Sequence, residues 1–404
     1  MLDKPFLQNL LKIVFNLCRY FLVMKQIILF LCLLVMAGHN SFGQAAQAIN
    51  ILYTSDAHFG ITRKQFRGDT AVPSYKVNAA MITQMNAISG MRLPFDNGVG
   101  AGQNINGVTY LVESGDIANR MEPPYQSASA SWQQFLQVYQ NGLKLNAPDG
   151  KPTQLLLLAG NHDISNAIGY PKKMEPLKDA TVMVEIHRLM MPGTPVPDEQ
   201  NFDYATGKIH YSKNIGGVHF MFINLWADSA ERIWMAADLK NVDKKVPVVI
   251  FAHDQPSCEA KHFNNPLSPG VIVPGSKFEN LLGEKYKEAT QAEKGEHATD
   301  LEQRGWEDFL KEHSNIKAYF HGNSNFNEFY TYHGPGGGVN LPVFRVDSPM
   351  KGDVSSKDET KLSFQLISLD PQKKILTVRE CLWNTHPLDP KQQVTFGSVK
   401  TISL

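Results

Sequence analysis

The chain is poor in cysteine and has no excess of charge of either sign, and both facts exclude classes of protein. It has 4 cysteines in 404 residues, and only Cys258 and Cys381 lie beyond the first fifty residues. The two remaining thiols form no cluster in the sequence that suggests a zinc or redox site, and whether they form one disulfide is left open. Basic and acidic residues number 39 each. This balance, without charge blocks, gives no reason to expect binding of duplex nucleic acid.

Long hydrophobic runs are also missing, except near the start of the chain. The stretch "MKQIILFLCLLVMAGHNSFGQAAQ" begins at Met24 with a basic residue, continues with an apolar run over 27–36 and ends in small and polar residues. This order is typical of a secretory signal peptide, and Ser41 and Gly43 fit its cleavage site. The apolar run is short for a membrane span.

The leader pattern divides the chain into two parts. We expect residues 1–43 to be a leader whose translation starts at Met24, followed by a single catalytic domain over 44–404. The mature protein is then secreted or periplasmic and has no stable transmembrane segment. An uncleaved N-terminal anchor is the alternative.

The rest of the chain alternates short apolar runs with amphipathic segments. Runs such as "AINILYT", "TQLLLLAG" and "VPVVIFAH" read as buried strands, and "SWQQFLQVYQNGL" reads as a helix. This βαβ pattern predicts an α/β domain. Segments "LPVFRVD", "KLSFQLISLD" and "KKILTVRECLW" predict an antiparallel C-terminal meander. Long insertions rich in Pro, Gly and Asn are expected at about 60–106, 164–207 and 254–298.

Polar groups follow five of the predicted strands at the end where α/β sheets bind ligands. Each motif alone is common in structural roles, such as a polar turn or a helix cap, but their joint order is specific. In chain order the groups are Asp56 and His58; Asp116, Asn119 and Arg120; Asn161, His162 and Asp163; His253 and Asp254; and Asn323 and Asn325.

Residues 48–347 resemble the calcineurin-like metallophosphoesterases in the order of these motifs. The order is D-x-H, GD-x-x-x-R, GNHD, a lone His and a final G-polar-x-polar loop. That family includes purple acid phosphatases and many phosphodiesterases. The resemblance implies a four-layer αββα sandwich that carries two divalent metal ions about 3.5–4 Å apart. It also implies hydrolysis of a phosphomonoester or phosphodiester through a metal-bound hydroxide.

The resemblance implies a role for each matching residue. Asp56 and His58 correspond to ligands of the first metal, and Asp116 corresponds to the carboxylate that bridges both. Asn161 and His253 correspond to ligands of the second metal.

Three further residues are implied to act on the substrate. His162 corresponds to an outer imidazole that faces the phosphate and can protonate the leaving group. Arg120 matches an arginine that can contact phosphate. Asp163 either orients the His162 imidazole or caps the following segment.

The fifth motif departs from the family. Where the family has G-H-x-H, this chain has Gly322-Asn323-Ser324-Asn325. By position, Asn323 would serve the second metal and Asn325 the first. Sites rich in oxygen donors favour Mn²⁺, Mg²⁺ or Fe²⁺ over Zn²⁺, so a Mn²⁺-like ion is expected. Alternatively, both asparagines are turn residues and one metal is lost, with His321 and His333 as candidate substitutes.

The sequence therefore predicts an exported metal-dependent phosphoesterase that acts on a small-molecule or lipid phosphate ester. The alternative is a non-catalytic or single-metal binding protein on the same scaffold. The substrate, the choice between monoester and diester, and the oligomeric state are not decided by the sequence.

Overall fold

A computed structural model describes residues 3–38, 47–119, 126–164, 180–199, 202, 207–258, 300–389 and 391–404. The chain separates into two compact units, Met1–Gln47 and Ala48–Leu404. The described residues of the first unit form one helix, α1 (Lys4–Gly38). The predicted cleavage site at Ser41 and Gly43 lies outside the described residues.

No helix among the described residues is both long enough and apolar enough to cross a membrane.

The second unit contains the remaining elements. Its helices are α2 (Ser74–Asn86), α3 (Ala128–Phe135) with a π-helical continuation over Leu136–Gln140, α4 (Asn161–Ile164), α5 (Thr181–Met190), α6 (Ser229–Leu239) and α7 (Asp300–Glu312). Its strands are β1 (Ile49–Thr54), β2 (Thr62–Phe66), β3 (Asp69–Pro73), β4 (Tyr110–Glu113), β5 (Gln154–Leu157), β6 (His210–Ile215), β7 (Val218–Ile223), β8 (Val248–Phe251), β9 (Ile316–His321), β10 (Glu328–Tyr332), β11 (Leu341–Arg345), β12 (Ser363–Asp370), β13 (Ile375–Leu382) and β14 (Thr395–Ser403).

Two six-stranded sheets organise this unit, and each mixes parallel with antiparallel pairs. The first sheet has the order β14-β13-β12-β1-β4-β5, and the second has the order β10-β11-β9-β8-β7-β6. Strands β1, β4 and β5 are parallel, as are β7, β8, β9 and β11. The predicted mixed α/β class is therefore confirmed. Parallel neighbours bring their carboxyl ends to one edge of each sheet.

Aromatic side chains connect the two sheets. The Tyr53 ring of β1 lies edge-on to Phe251 of β8 and Phe320 of β9, with ring centroids 5.1 and 5.6 Å apart. Side chains alternate along a strand, so neighbouring residues face the helices instead. Thr54 Oγ1 lies 3.8 Å from the Met81 sulfur of α2. Buried apolar side chains thus fill both faces of the central strands, as their continuous apolar sequences predict.

Side-chain caps mark where two of the helices begin. The Asp228 carboxylate accepts the Glu231 amide at 2.7 Å immediately before α6. The Ser127 hydroxyl accepts the Ala130 amide at 3.1 Å before α3. Such caps satisfy amides that have no partner within the first turn of a helix.

Two expectations about the chain organisation need correction. "LPVFRVD" does not join the C-terminal meander, because β11 pairs parallel with β9 and antiparallel with β10 in the second sheet. The antiparallel partners of β12 are instead β1 and β13, and β13 also pairs with β14. The expected insertion at 60–106 is partly regular, since it contains the β2–β3 hairpin and α2. Residues 165–179, 200–201 and 203–206 of the second insertion and 259–298 of the third lie outside the described residues.

Candidate metal centre

Backbone hydrogen bonds hold the strand-end loops against one another. The Asp56 amide donates to the Gly115 carbonyl at 2.9 Å, and the His58 amide donates to the Asp116 carbonyl at 2.8 Å. These bonds continue the parallel pairing of β1 and β4 beyond the strands. In the second sheet, the Gly322 amide donates to the His253 carbonyl at 3.0 Å. The predicted ligands are therefore carried on loops that the sheets position directly.

The backbone is left-handed at five of the seven predicted ligands. The φ angles are 59° at Asp56, 45° at His58, 56° at Asp116 and 57° at both Asn323 and Asn325. A left-handed conformation costs most non-glycine residues roughly 1–2 kcal/mol, whereas Asp and Asn adopt it more readily because their short polar side chains hydrogen-bond locally. The motif residue types thus suit the sharp turns that the three loops make at the strand ends.

Two motif glycines are required by close approach. A Cβ atom at Gly160 would meet the Asp116 Oδ1 atom, and it would lie 2.7 Å from the His253 ring. A Cβ atom at Gly322 would meet Ser55 Oγ and Asp56 Oδ2. The space that these glycines leave is filled by the predicted ligands themselves.

Asp116 is shared by two groups of side chains that could each hold a metal ion. One group is His58, Asp116 and His162, and the other is Asp56, Asp116 and His253; within each group the ligand atoms lie within 4.8 Å of one another. Asp116 Oδ2 is 3.8 Å from His58 Nε2, and Asp116 Oδ1 is 3.4 Å from His253 Nε2. The two oxygens of one buried carboxylate therefore face opposite sides, as a bridging ligand requires.

Unsatisfied polar atoms show that these residues suit a cation. Asp56 Oδ1, His58 Nε2 and Asn325 Oδ1 are buried without a hydrogen bond. A buried polar atom without a partner costs about 1–3 kcal/mol, so each of these atoms is unfavourable unless something binds it. Asp56 Oδ1 and His58 Nε2 lie 3.4 Å apart. Two of the three atoms are oxygens and one is an imidazole nitrogen, which suits a Mn²⁺-like ion. The residues present therefore fit a divalent metal.

His253 is oriented as a ligand. Its Nδ1 atom lies 2.9 Å from the Ser114 carbonyl, to which it donates, so Nε2 is directed at the site. Metal-binding histidines are commonly fixed by such a second hydrogen bond. His253 Nε2 lies 3.2 Å from Asn161 Oδ1. The predicted second-metal ligands Asp116, Asn161 and His253 are thus in direct contact.

The electrostatics of the site are dominated by burial and by the pairing of imidazoles with carboxylates. Burial disfavours the charged form of His253, but Asp116 and Asp56 outweigh it and raise the pKa to about 10, so a metal that binds Nε2 must displace a proton. Burial likewise opposes ionisation of Asp116, but His253 and His162 hold its pKa well below the usual range. Asp116 is therefore anionic, as a bridging ligand must be.

His162 lies at the edge of the site. Its amide donates to Asp116 Oδ1 at 2.8 Å, and its Nε2 atom lies 3.8 Å from Asp116 Oδ2. Its ring meets the His58 ring edge-on with centroids 5.1 Å apart. The His162 side chain is 19% exposed, whereas those of His58 and Asp116 are buried. This placement suits a group that faces substrate rather than metal.

Asp163 is bound by the backbone. Its carboxylate accepts the amides of Ile117 at 3.1 Å, Ala118 at 2.8 Å and Gly160 at 2.9 Å. It thereby braces the loop that carries Asp116 against the loop that carries Asn161. The sequence motif did not predict this role, and the orientation of the His162 ring by Asp163 stays a prediction.

The two asparagines of the fifth motif differ. The Asn325 side-chain amide donates to the Asn323 carbonyl at 2.6 Å, which leaves the buried Oδ1 atom without a hydrogen bond. The Asn323 side-chain amide donates to Asp254 Oδ1 at 2.8 Å, and its backbone amide donates to Asp56 Oδ2 at 2.9 Å. Asn325 thus has the features of an oxygen ligand, while Asn323 fastens its loop to Asp254 and Asp56.

The candidate substitutes have other partners. His321 Nε2 lies 2.9 Å from the Tyr330 hydroxyl, and its Nδ1 atom lies 2.9 Å from the Gly322 carbonyl. His333 Nδ1 lies 3.2 Å from the Val339 carbonyl in an exposed position. These contacts account for His321 as a core histidine and place His333 in a surface turn. Arg120 lies outside the described residues.

Lys351 is a site residue that sequence reasoning missed. Its Nζ atom lies 3.3 Å from His162 Nε2. Burial lowers the pKa of His58, and the charge of Lys351 lowers it further, which places the ammonium near both imidazoles. Lys351 follows β11, so the strand-end rule would have found it if "LPVFRVD" had been assigned to the second sheet.

No family model matches the chain, and no curated protein matches it. Among solved structures, the chain is similar to a protein described as a 5′-nucleotidase of Staphylococcus aureus in complex with α-ketoglutarate. The two chains are 11% identical with a TM-score of 0.37. The match covers 88% of this chain and 54% of that one. This chain thus spans about half the length of that protein. Similarity at this level assigns neither a family nor an activity.

Two further solved structures bear phosphoesterase names. A conserved Streptococcus pneumoniae protein, described as a predicted phosphoesterase, is 8% identical with a TM-score of 0.32, over 89% of this chain and 100% of that one. The calcineurin-like phosphoesterase YfkN from Bacillus subtilis is 12% identical with a TM-score of 0.29, over 88% and 90%.

Proposed function

We propose that the protein is a metal-dependent phosphoesterase of the calcineurin-like type, with its two sheets and outer helices forming a four-layer αββα sandwich. One observation carries the proposal: the buried Asp116 carboxylate is shared by two convergent groups of ligand atoms. A bridging carboxylate between two imidazole-containing groups is the arrangement that a two-metal hydrolase needs.

The assignment of residues to the two metals follows the family resemblance, while the observed groups pair Asp56 with His253, and His58 with His162, around Asp116. Asp56, His58, Asp116 and Asn325 would hold the first, and the second would be held by Asp116, Asn161 and His253, with Asn323 as the fourth predicted ligand. Divalent ions at such a site supply positive charge to phosphoryl oxygens and lower the pKa of water. The predominance of oxygen donors favours Mn²⁺-like ions.

The chain's own residues supply the remaining functions. His162 stands beside the bridging carboxylate at the exposed edge, where its imidazole can deliver a proton to the leaving oxygen of an ester. Burial of Asp56, His58, Asp116 and His253 excludes water from the other side and strengthens every charge interaction there. Asp163 keeps Asp116 in its left-handed backbone conformation.

A substrate panel with controlled metal content tests the proposal. We expect the protein freed of metal by a chelator to be inactive on 4-nitrophenyl phosphate and to regain turnover with Mn²⁺ more than with Zn²⁺. Small-molecule and lipid phosphate esters belong in the same panel. Failure of Mn²⁺, Mg²⁺, Fe²⁺ and Zn²⁺ alike to support hydrolysis of any ester would contradict an enzymatic role.

The replacement of both histidines of the fifth motif by asparagine favours a second candidate, a single-metal or non-catalytic binding protein. Asn323 donates its side-chain NH2 group to Asp254, so it can offer a metal only its amide oxygen, where the family has an imidazole. Metal counting distinguishes the candidates, because the phosphoesterase requires two ions per chain and the alternative one or none.

Export is part of the proposal and is supported by the leader pattern that begins at Met24. Expression with the intact leader, followed by fractionation and N-terminal sequencing, tests it. Mature protein starting near Gln44 outside the cytoplasm is the expected result. An intact leader on cytoplasmic protein would contradict it.

A further inference from the structure

Lys351 places a cation next to the substrate-facing edge of the site. Its side chain is half-buried, and its Nζ atom lies 3.3 Å from His162 Nε2. His162 is the imidazole that the proposed function directs at the phosphate. A group bound between the metals and His162 would therefore meet the Lys351 ammonium as well.

The loop that carries Lys351 is tied to a predicted metal ligand. The Ser348 hydroxyl donates to the Asp56 carbonyl at 2.9 Å and accepts the Lys351 amide at 3.1 Å. The backbone of Lys351 is thus two hydrogen bonds from the backbone of Asp56. This connection fixes where the lysine stem begins relative to the metal site.

A buried arginine holds the same loop from the other side. Arg63 Nη1 donates to the Pro349 carbonyl at 2.9 Å, and Nη2 donates to the Ser355 carbonyl. The Asp353 amide donates to the Asn325 carbonyl at 2.9 Å, which joins the loop to the fifth motif. A cation on a loop with these anchors loses little conformational entropy when a ligand binds.

We propose that Lys351 contacts a terminal phosphoryl oxygen and makes the protein selective for phosphomonoesters over phosphodiesters. The proposal rests on the proposed function. A monoester at neutral pH carries close to two negative charges and a diester carries one. Because charge interaction scales with the ligand charge, an added ammonium favours the monoester. Lysine binds phosphate as a point charge and needs no particular geometry from the leaving group.

Two substrates with one leaving group test the selectivity. 4-Nitrophenyl phosphate and methyl 4-nitrophenyl phosphate differ by one charge and release the same phenol. We expect Lys351→Met to lower kcat/KM for the monoester by about 10- to 100-fold, the range for a lost charge-assisted hydrogen bond. The diester should change much less. Lys351→Arg should recover most of the loss, and Lys357→Met, an exposed lysine of the same loop, should change neither substrate.

Titration of metal-loaded protein with inorganic phosphate gives a readout that does not depend on turnover. Calorimetry should show phosphate binding about 10- to 100-fold weaker in Lys351→Met than in wild type or Lys357→Met. The metal content and melting temperature of the three proteins should agree, which excludes a merely structural effect.

The outcomes separate this inference from the proposed function. Equal losses on both esters, or phosphate affinity that Lys351→Met leaves unchanged, would overturn the role of Lys351 while the phosphoesterase stands. Wild-type protein that hydrolyses neither these two esters nor any other ester of the substrate panel, with any of the four metals, would overturn the proposed function. The phosphate titration would then still decide whether Lys351 contacts phosphate.

Discussion

The two sheets contribute different chemistry to the site. The first sheet delivers Asp56, His58 and Asp116 with carboxylates and imidazoles in mutual contact, as the motifs predict. The second sheet delivers His253, two asparagines in place of histidines and an unpredicted lysine. The anionic groups that face the proposed metals thus come from the first sheet, whereas the second contributes neutral and cationic groups.

The two sheets also differ in the contacts that fix their ligand-carrying loops. On the first sheet, the Asp163 carboxylate is occupied with backbone amides and fixes the loops that carry ligands. On the second, the Asp254 carboxylate accepts the side-chain amide of Asn323 and the thiol of Cys258. Asp163 therefore positions candidate ligands through the backbone, whereas Asp254 holds the NH2 group of the Asn323 side chain and leaves its amide oxygen available to a metal.

Asp116→Asn should have the largest effect, because it removes the group that both halves share. We expect activity to fall on the order of 10⁴-fold, the scale seen when residues that act as a unit are lost. Metal content should fall with it. Turnover and metal analysis measure both, with the exposed Asp308→Asn as the control. Wild-type turnover with a full metal complement would rule out a bridging role.

His162→Asn should leave the metals in place and slow the reaction. For alkyl phosphates we expect kcat to fall roughly 10²–10⁴-fold, as for loss of a general acid. The fall should be smaller for 4-nitrophenyl phosphate, whose leaving group needs no proton. Kinetics on both esters at constant metal content supply the test. Equal losses would contradict proton donation.

Asn325→Ala and Asn323→Ala compare the two residues of the second-sheet loop directly. Because Asn325 Oδ1 is buried without a hydrogen bond, its loss should weaken the first metal, by about tenfold or more on the scale of altered metal sites. Asn323→Ala should weaken metal binding less and lower stability, since Asp254 loses a donor. Metal titration and thermal melting of both variants separate the effects.

The double variant Asn323→His with Asn325→His restores the family motif and sharpens the same comparison. Imidazole is the softer donor, so the preference should shift from Mn²⁺ towards Zn²⁺ and affinity should rise. Competition titration with the two ions measures the shift. Unchanged selectivity would make this stretch a polar turn and would favour a site with fewer metals.

The half of the site that lies on the first sheet could be predicted, because each of its polar groups stands next to its strand in the sequence. Each of β1, β4 and β5 is a short buried run followed at once by its polar group, and parallel pairing then brings the ends together. Asp56, Asp116 and Asn161 are therefore placed by pattern alone. The convergence of Asp116 with His253 joins two different sheets, so it does not follow from strand pairing, and only the family resemblance implied it.

The second-sheet half could not be predicted to the same extent, because its contacts depend on distant partners. Lys351 was missed because the sequence of β11 alternates like a meander strand, and only its parallel pairing with β9 brings the following loop to the site. The direction of the Asn323 amide depends on Asp254, about seventy positions earlier in the chain. No local pattern encodes either contact.

The last expected effect is on stability and not on activity, and it concerns Asp347, a buried acid that precedes the Lys351 loop. Burial raises the pKa of Asp347 to about 8, although Ser355 and Arg63 act in the opposite direction. The folded protein then keeps a proton that the unfolded chain releases near pH 4. Folding takes up this proton between about pH 4 and 8, so the free energy of unfolding contributed by Asp347 falls as pH rises through that window.

Asp347→Asn should remove this contribution, because an amide cannot ionise. We expect the variant to lose less stability than wild type between pH 5 and 8, with a difference in slope of at most about 1.4 kcal/mol per pH unit. Denaturant unfolding of metal-free protein at several pH values measures it, with the exposed Asp353→Asn as the matched control on the same loop. If wild type and Asp347→Asn have the same slope, Asp347 is ionised in the folded protein. The Arg63 guanidinium then stabilises the Asp347 carboxylate next to the Lys351 loop. That region carries one more negative charge than it would with a protonated Asp347.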